Sequence, residues 1–484
     1  MWKKILSSFP RFWTNWLTLL GTAITTVAAC TILMVMAASV VSDQTHPYAF
    51  VLGFLVMPAI FVGGLAIVGL GFLWERRRVR LGGVEDPIQA AFRAAFENKR
   101  SRRLFLLVGF ATLINIVIVG SAGHEALTYM DSPEFCGTLC HSVMQPEYDT
   151  YLESPHSRIK CVVCHIGPGA SWAVKSKIDG MKQVWGVLTN NHARPIPSPV
   201  HTLRPARDTC EQCHWPAKFH GNRAAVRVHY ANDEENSPQV AALMLRVGGK
   251  DPRTDKFHGI HWHVSDNVRI EYEALDEKRE RIGKVRVYRG DDLSAEYLPP
   301  EGVSGEVQEV RTMDCVDCHN RPTHVFDPNP ERAADRAISE GLLDRKTPFI
   351  HKIAAQVLAA ANNTQREGSE AVFRDAIAKI YATEHAALEI SDEALDAAAA
   401  GVSALYLRNI YPALKLDWGT HPNHLGHQGE EKDLRGCFRC HNGERTTTDG
   451  KSITMDCDLC HEILSEDDAP EDLPDSFKGM IPSW

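Results

Sequence analysis

The sequence predicts a membrane α-helical anchor of three spans, then a loop-rich α+β domain with a small inserted antiparallel sheet and a helical C-terminal part. Three observations predict it. Three apolar runs lie within the first 128 of 484 residues. Short stretches with β-branched or aromatic alternation, at 225–230, 268–275 and 284–289, are broken by polar turns. Residues 331–411 carry Ala-rich segments of helical character, such as 373–385 and 392–407.

The anchor comes first. The runs at 16–41, 50–74 and 104–127 are 24 to 26 residues long, enough to cross a hydrocarbon core at about 1.5 Å rise per residue. Lys3, Lys4 and Arg11 precede the first run, and the short loop after it has no Lys or Arg. The loop 75–103 carries Arg76, Arg77, Arg78, Arg80, Arg93, Lys99, Arg100, Arg102 and Arg103. The positive-inside rule then puts the N-terminus and this loop in the cytoplasm and everything after residue 128 outside it. Ile88, Phe92, Ala95 and Phe96 fall on one helical face, which predicts a helix lying on the inner leaflet. Trp13, Trp16 and Trp74 stand at span ends as interfacial anchors.

Charge follows the same division. Residues 1–128 hold 12 Lys+Arg against 6 Asp+Glu, or +6; the other 356 hold 40 against 55, or −15, for a net −9. A bulk this acidic repels phosphate, which excludes a nucleic-acid partner.

Thirteen cysteines and 22 histidines remain to be explained. Twelve of the cysteines fall into six clusters, each followed by a histidine: Cys136/Cys140-His141, Cys161/Cys164-His165, Cys210/Cys213-His214, Cys315/Cys318-His319, Cys437/Cys440-His441 and Cys457/Cys460-His461. Five are C-x-x-C-H, the signature of covalent c-type haem attachment; the first has one extra residue between its thiols. The spacing has a chemical reason. Two thiols add across the two vinyl groups of one haem, and the adjacent histidine reaches its iron. A zinc ribbon at 437–460 would give no reason for a histidine after every pair, and a disulfide across two residues would be strained. The outer domain is thereby read as a multihaem cytochrome c domain holding six covalent haems, with His141, His165, His214, His319, His441 and His461 as proximal iron ligands.

Sixteen histidines are left for second iron positions. Local context favours His156, just before the second motif; His261 and His263, which would point to opposite faces of a strand; His324, five residues after His319; His427, before the fifth motif; and His229, at the end of a strand-like run. His192, His201, His220, His258, His351, His421 and His424 rank behind them. The domains are read as 1–128 (anchor), 129–223 (first three motifs), 224–312 (inserted β-subdomain) and 313–484 (helices, last three motifs and an acidic tail). That tail, with Glu466, Asp467, Asp468, Glu471, Asp472 and Asp475, is read as a solvated end.

From Phe135 to about Trp185 the sequence resembles the NapC/NrfH/NirT group of membrane-anchored quinol dehydrogenases. The resemblance rests on Cys136…Cys140-His141-Ser-Val-Met144-Gln-Pro146, Tyr148, Tyr151, Ser154, His156, Cys161…His165 and the stretch Trp172–Trp185 with its Lys and Asp residues. Segments 210–219, 259–263, 314–324 and 436–441 look like the larger inner-membrane cytochromes of the ImcH type. The resemblance implies oxidation of menaquinol or ubiquinol from the membrane pool at the first haem, with electrons passed to periplasmic cytochromes or a reductase. It implies Met144 as a candidate ligand of the first iron, and a quinol site drawn from Lys175, Lys177, Asp179 and Lys182. The protons released need acceptors, for which Asp131, Glu134, Glu147, Asp149, Asp179, His124 and Glu125 are available. Two other readings stand beside it: a multihaem terminal reductase with an open iron, and a relay subunit without its own quinol site; a membrane complex or a homo-oligomer is compatible with each reading.

Overall fold

The computed structural model describes residues 15–41, 56–81, 99–139, 141–167, 169–200, 204–219, 221–251, 253–361, 364–427 and 435–482. Lys3, Lys4, Arg11, Trp13, the helix expected at 88–96, Cys140, His201 and His220 lie outside these, as do the side chains of His141 and Lys177. The chain divides into two units, residues 1–144 and 145–484.

The first unit holds three helices long and apolar enough to cross a membrane: α1 (Trp16–Val41), α2 (Met57–Leu81) and α3 (Lys99–Met130). The run expected at 50–74 is helical from Met57 and continues through Arg76–Arg80, so the arginines ride on the end of the span. Lipid tails are as apolar as leucine, so helices in a bilayer associate through close contact of small residues. Such a seam joins α1 to α2. A Cβ on Gly21 would stand 2.7 Å from the Gly64 carbonyl oxygen, and one on Gly71 would stand 2.8 Å from the Thr18 nitrogen. Thr18 and Thr25 are buried in this seam, Thr25 returning its hydroxyl to the Gly21 carbonyl at 2.7 Å. Trp16 and Trp74 meet edge to face, centroids 6.3 Å apart.

After α3 comes a π-helical turn, Phe135–Leu139, and then α4 (His141–Leu152). A π turn takes one more residue than an α turn. It falls at the motif that has one more residue between its thiols.

In the second unit, α5 (Ala170–Leu188) precedes the strands. The inserted region is not one sheet. Strands β1 (Arg223–Tyr230), β2 (Pro238–Leu245), β3 (Gly249–Lys250), β4 (Phe257–His258), β5 (Val268–Ala274), β6 (Ile282–Arg289), β7 (Asp292–Tyr297) and β8 (Glu309–Thr312) are joined by β9 (His461–Asp468). They form three sheets, ordered β1-β2-β9, β3-β4 and β7-β6-β5-β8. The expected solvated tail is therefore half strand: β9 runs antiparallel to β2, with His461 opposite Leu245 and Ser465 opposite Ala242. Its alternation places Ser465 in the core while Glu462 and Glu466 stay in water, which masked it as a plain acidic stretch.

The helical expectation becomes α6 (Pro330–Ser339), α7 (Ile350–Ala360), α8 (Ser369–Glu384) and α9 (Asp392–Asn409). Asn329 and Ser391 cap α6 and α9 by accepting from the N–H groups of Arg332 and Ala394. Their apolar faces close on a core that includes Ile338, Ile353, Leu358, Phe373, Ile377, Val402 and Tyr406.

Candidate functional site

Each motif after the first folds as or begins one short turn: Cys161–His165, Cys315–Cys318, Gly436–Arg439 and Cys457–Leu459, and at the third motif, after the helix Ala206–Cys210, a turn in which the Cys213 and His214 N–H groups both donate to the Cys210 carbonyl. A single helical turn puts residues three apart on one side, so it presents both thiols together. The turn of the fourth motif is pinned by a residue between its cysteines. Asp317, buried, accepts from Tyr272 Oη at 2.5 Å, Arg311 Nε at 2.6 Å and its own N-cap N–H, that of Asp314, at 2.6 Å. Asp314 and Asp317 form a capping box, a pattern readable in the sequence. The buried Arg445 was not: it donates to the carbonyls of Gly283 and Ile282 and ties the segment after the fifth motif to β6.

The thiols of successive motifs come together in chain order. Cys164 neighbours Cys213, Cys210 neighbours Cys315, Cys318 neighbours Cys437, and Cys437 neighbours Cys460. Second to sixth, the motifs form a line.

The histidines complete the arrangement. Ring centroids are 6.3 Å apart for His165 and His324, 6.1 Å for His214 and His156, and 6.5 Å for His319 and His261. They are 5.8 Å apart for His441 and His263, and 6.1 Å for His461 and His427. Every pair joins one motif histidine to one other. With each coordinating nitrogen about 2 Å from a shared metal and about 1 Å from its own ring centre, two imidazoles stand roughly 6 Å apart. The donor chemistry agrees. Nδ1 of His324 lies 2.8 Å from the Glu147 carbonyl oxygen, that of His261 3.0 Å from Val247, that of His263 2.7 Å from Ile260 and that of His441 2.9 Å from Thr454. A carbonyl only accepts, so Nδ1 carries the hydrogen and Nε2 keeps its lone pair for a metal. Burial lowers the pKa of His165, His263, His319, His324 and His427, which keeps these rings neutral, as iron requires. The residues present therefore fit a haem at each of these five turns.

His261 and His263 do not lie on a strand. They sit on a 3-10 turn, Ile260–Val264, whose three residues per turn separate positions two apart by about 120°; they diverge toward different motifs all the same. Gly259 caps that turn at φ +67°, where a Cβ would run into the Arg246 carbonyl oxygen. Gly436, at φ +59°, allows the fifth motif the same close approach to Gly426, beside His427.

His229 faces no motif histidine among the described residues. Its Nδ1 lies 2.9 Å from Asp335 Oδ2, and His351 and the Tyr230 N–H approach the same carboxylate. His421 and His424 are each drawn down by burial, to about 4 and about 3, and have buried Nε2 atoms without a hydrogen bond.

The proton-acceptor and quinol candidates separate by environment. Glu147 is held by both oxygens on Arg321 Nη2, at 3.1 and 3.2 Å. Asp149 accepts from Tyr411 Oη and from Gln145 Nε2, both at 2.6 Å. Both carboxylates are thus committed to structure. Asp131 is half-buried, and Glu134, His124 and Glu125 are exposed. On α5, Lys182 pairs with Asp179 at 3.0 Å, and the Lys175 ammonium sits 4.9 Å from the Trp172 ring centre. Met144 is half-buried, one helical turn beyond His141 on α4.

Comparison with known proteins agrees with these features. Residues 97–195 match the NapC/NirT cytochrome c family, N-terminal region. The cytochrome c-type protein ImcH of Geobacter sulfurreducens is 38% identical over 457 residues, covering 93% of this chain and 88% of that protein. No solved structure matches the chain.

Proposed function

Because this chain belongs to the NapC/NirT cytochrome c family, as an ImcH-like, membrane-anchored, multihaem electron-transfer protein, we propose that it oxidises menaquinol or ubiquinol at the outer face of the inner membrane and delivers the electrons to periplasmic cytochromes or a reductase. In this reading it carries six haems, its N-terminus is cytoplasmic and all six motifs are periplasmic. The observation that carries the electron-transfer part is the set of five histidine pairs, one at each motif from the second to the sixth. Each haem supplies a one-electron iron couple. The chain's own residues do the rest. Cys161, Cys164, Cys210, Cys213, Cys315, Cys318, Cys437, Cys440, Cys457 and Cys460 would hold the macrocycles by thioether bonds. At the second to sixth motifs the paired histidines would both hold the iron, which supports a carrier over a terminal reductase there, since a reductase needs an open position. The order of the thiol contacts supports a path that runs from the second motif to the sixth.

Quinol oxidation rests on the family and on chain length: five residues, 131–135, separate α3 from Cys136, which keeps the first motif at the membrane surface. Cys136, Cys140 and His141 would hold that haem, with Met144 as the candidate alternative ligand. Two electrons and two protons leave each quinol. Asp131 and Glu134 are the better acceptors, since Glu147, Asp149 and Asp179 are already bound to Arg321, Tyr411 and Lys182. Lys175 and the Asp179–Lys182 pair supply the hydrogen-bonding charges a quinol hydroxyl needs.

Stopped-flow mixing of the purified, oxidised full-length protein with menaquinol and ubiquinol analogues tests the proposal. Haem reduction within the mixing series is expected. No reduction by either quinol overturns it.

A further inference from the structure

The following rests on the reading of His165 and His324 as ligands of one iron, and concerns what sets the character of that site. Among the described histidines that face a motif histidine, His324 alone has a carboxylate at ion-pair distance: Glu147 Oε2 lies 3.3 Å from its Nδ1. The rings of His261, His263 and His441 meet neutral carbonyls. Glu147 approaches His324 twice, because its backbone carbonyl also accepts from Nδ1 at 2.8 Å.

Arg321 locks the arrangement. Its side chain is 5% exposed. It grips both Glu147 oxygens, donates from Nε to the carbonyl of His324 itself at 2.6 Å and from Nη1 to Ser198 Oγ at 2.9 Å. One guanidinium thus fixes the backbone of the ligand and the acid beside its ring. Phe326 closes the other side, 5.1 Å from the guanidinium carbon.

We propose that Glu147, clamped by Arg321, is a positioning residue that orients His324 and holds the reduction potential of the second motif's haem below the value it would have with a neutral side chain at position 147. The physical ground is electrostatic. A carboxylate beside the distal N–H makes the imidazole a stronger donor, and negative charge favours the oxidised, more positive iron.

Redox titration and EPR of the full-length, haem-loaded protein in detergent test this, with haem content checked by mass. In Glu147→Gln, the equilibrium constant for reducing one haem is expected to rise about tenfold, which is 59 mV for a one-electron couple; Glu147→Asp restores part of the shift. Unchanged midpoints in Glu147→Gln at full haem content overturn the proposal. Should Glu147→Gln fail to fold, Arg321→Lys keeps the charge but loses the fork. It is expected to broaden one low-spin EPR signal, and an unaltered signal overturns the clamp. His324→Ala separates this proposal from the reading beneath it. That variant is expected to turn one haem high-spin, and a wholly low-spin spectrum removes the ligand pair itself.

Discussion

The helices α6 to α9 and the motif-bearing segments 161–219 and 435–461 differ in what fills their interiors. In the helical region Ile353, Leu358, Ile377 and Val402 are fully buried against one another, and the burial of such side chains is the main favourable term in folding. Apart from α5, the motif segments hold short turns joined by loops, and several of their apolar side chains face outward: Val163 is 40% exposed, Trp215 58% and Leu459 49%. One region completes its core with its own residues. The other is shaped around groups that the polypeptide does not supply.

Four measurements sharpen or break that contrast, the strongest first. Protein made without haem attachment is expected to be cut by limited proteolysis within 161–219 and 435–461 while α6–α9 survive; cleavage of the helices at the same protease level would sink the comparison. Phe373→Ala removes a large side chain from the helical core and should cost about 3–5 kcal/mol in unfolding. Its haem spectrum should match the parent's, and a changed Soret band would mean that the two regions are coupled. Asp335 gives a pH signature. Burial pushes its carboxyl up, but hydrogen bonds from His229, His351 and the Tyr230 N–H outweigh that and hold it down at about 2. A depressed carboxyl contributes stability above its unfolded value near 4 that is lost as pH falls toward 2, here about 2 kcal/mol. Asp335→Asn should flatten the stability profile across that window. Smallest, Ser391→Ala removes the α9 cap and should cost about 1 kcal/mol by thermal melting.

The same contrast explains what could be read from the chain alone. The haem motifs are legible because attachment chemistry needs two thiols and a histidine within five residues, and the spans are legible because a bilayer demands length and apolarity together. Pairing is another matter. His324 stands five residues from His319 yet faces His165, and His156 stands nine residues before His165 yet faces His214. Local context can pick such histidines out, but only the tertiary fold assigns them. The strand reading of His261 and His263 failed because a glycine with positive φ starts a 3-10 turn there, and the alternation of His and Trp is compatible with either. Arg321 and Arg445 gave no signal, since a buried arginine is recognised only by the distant carbonyls and carboxylates it reaches.

Strand β9 begins at His461, the last residue of the last motif, and pairs with β2 more than 200 positions earlier. Ribosomes make β9 more than 200 residues after β2, so the β1-β2-β9 sheet stays unclosed while the fourth, fifth and sixth motifs are synthesised. Pairing across such a separation is slow to form. The three motifs between these strands, at 315–319, 437–441 and 457–461, therefore leave the ribosome while that sheet is still open, and β9 acts as a latch that shuts after them.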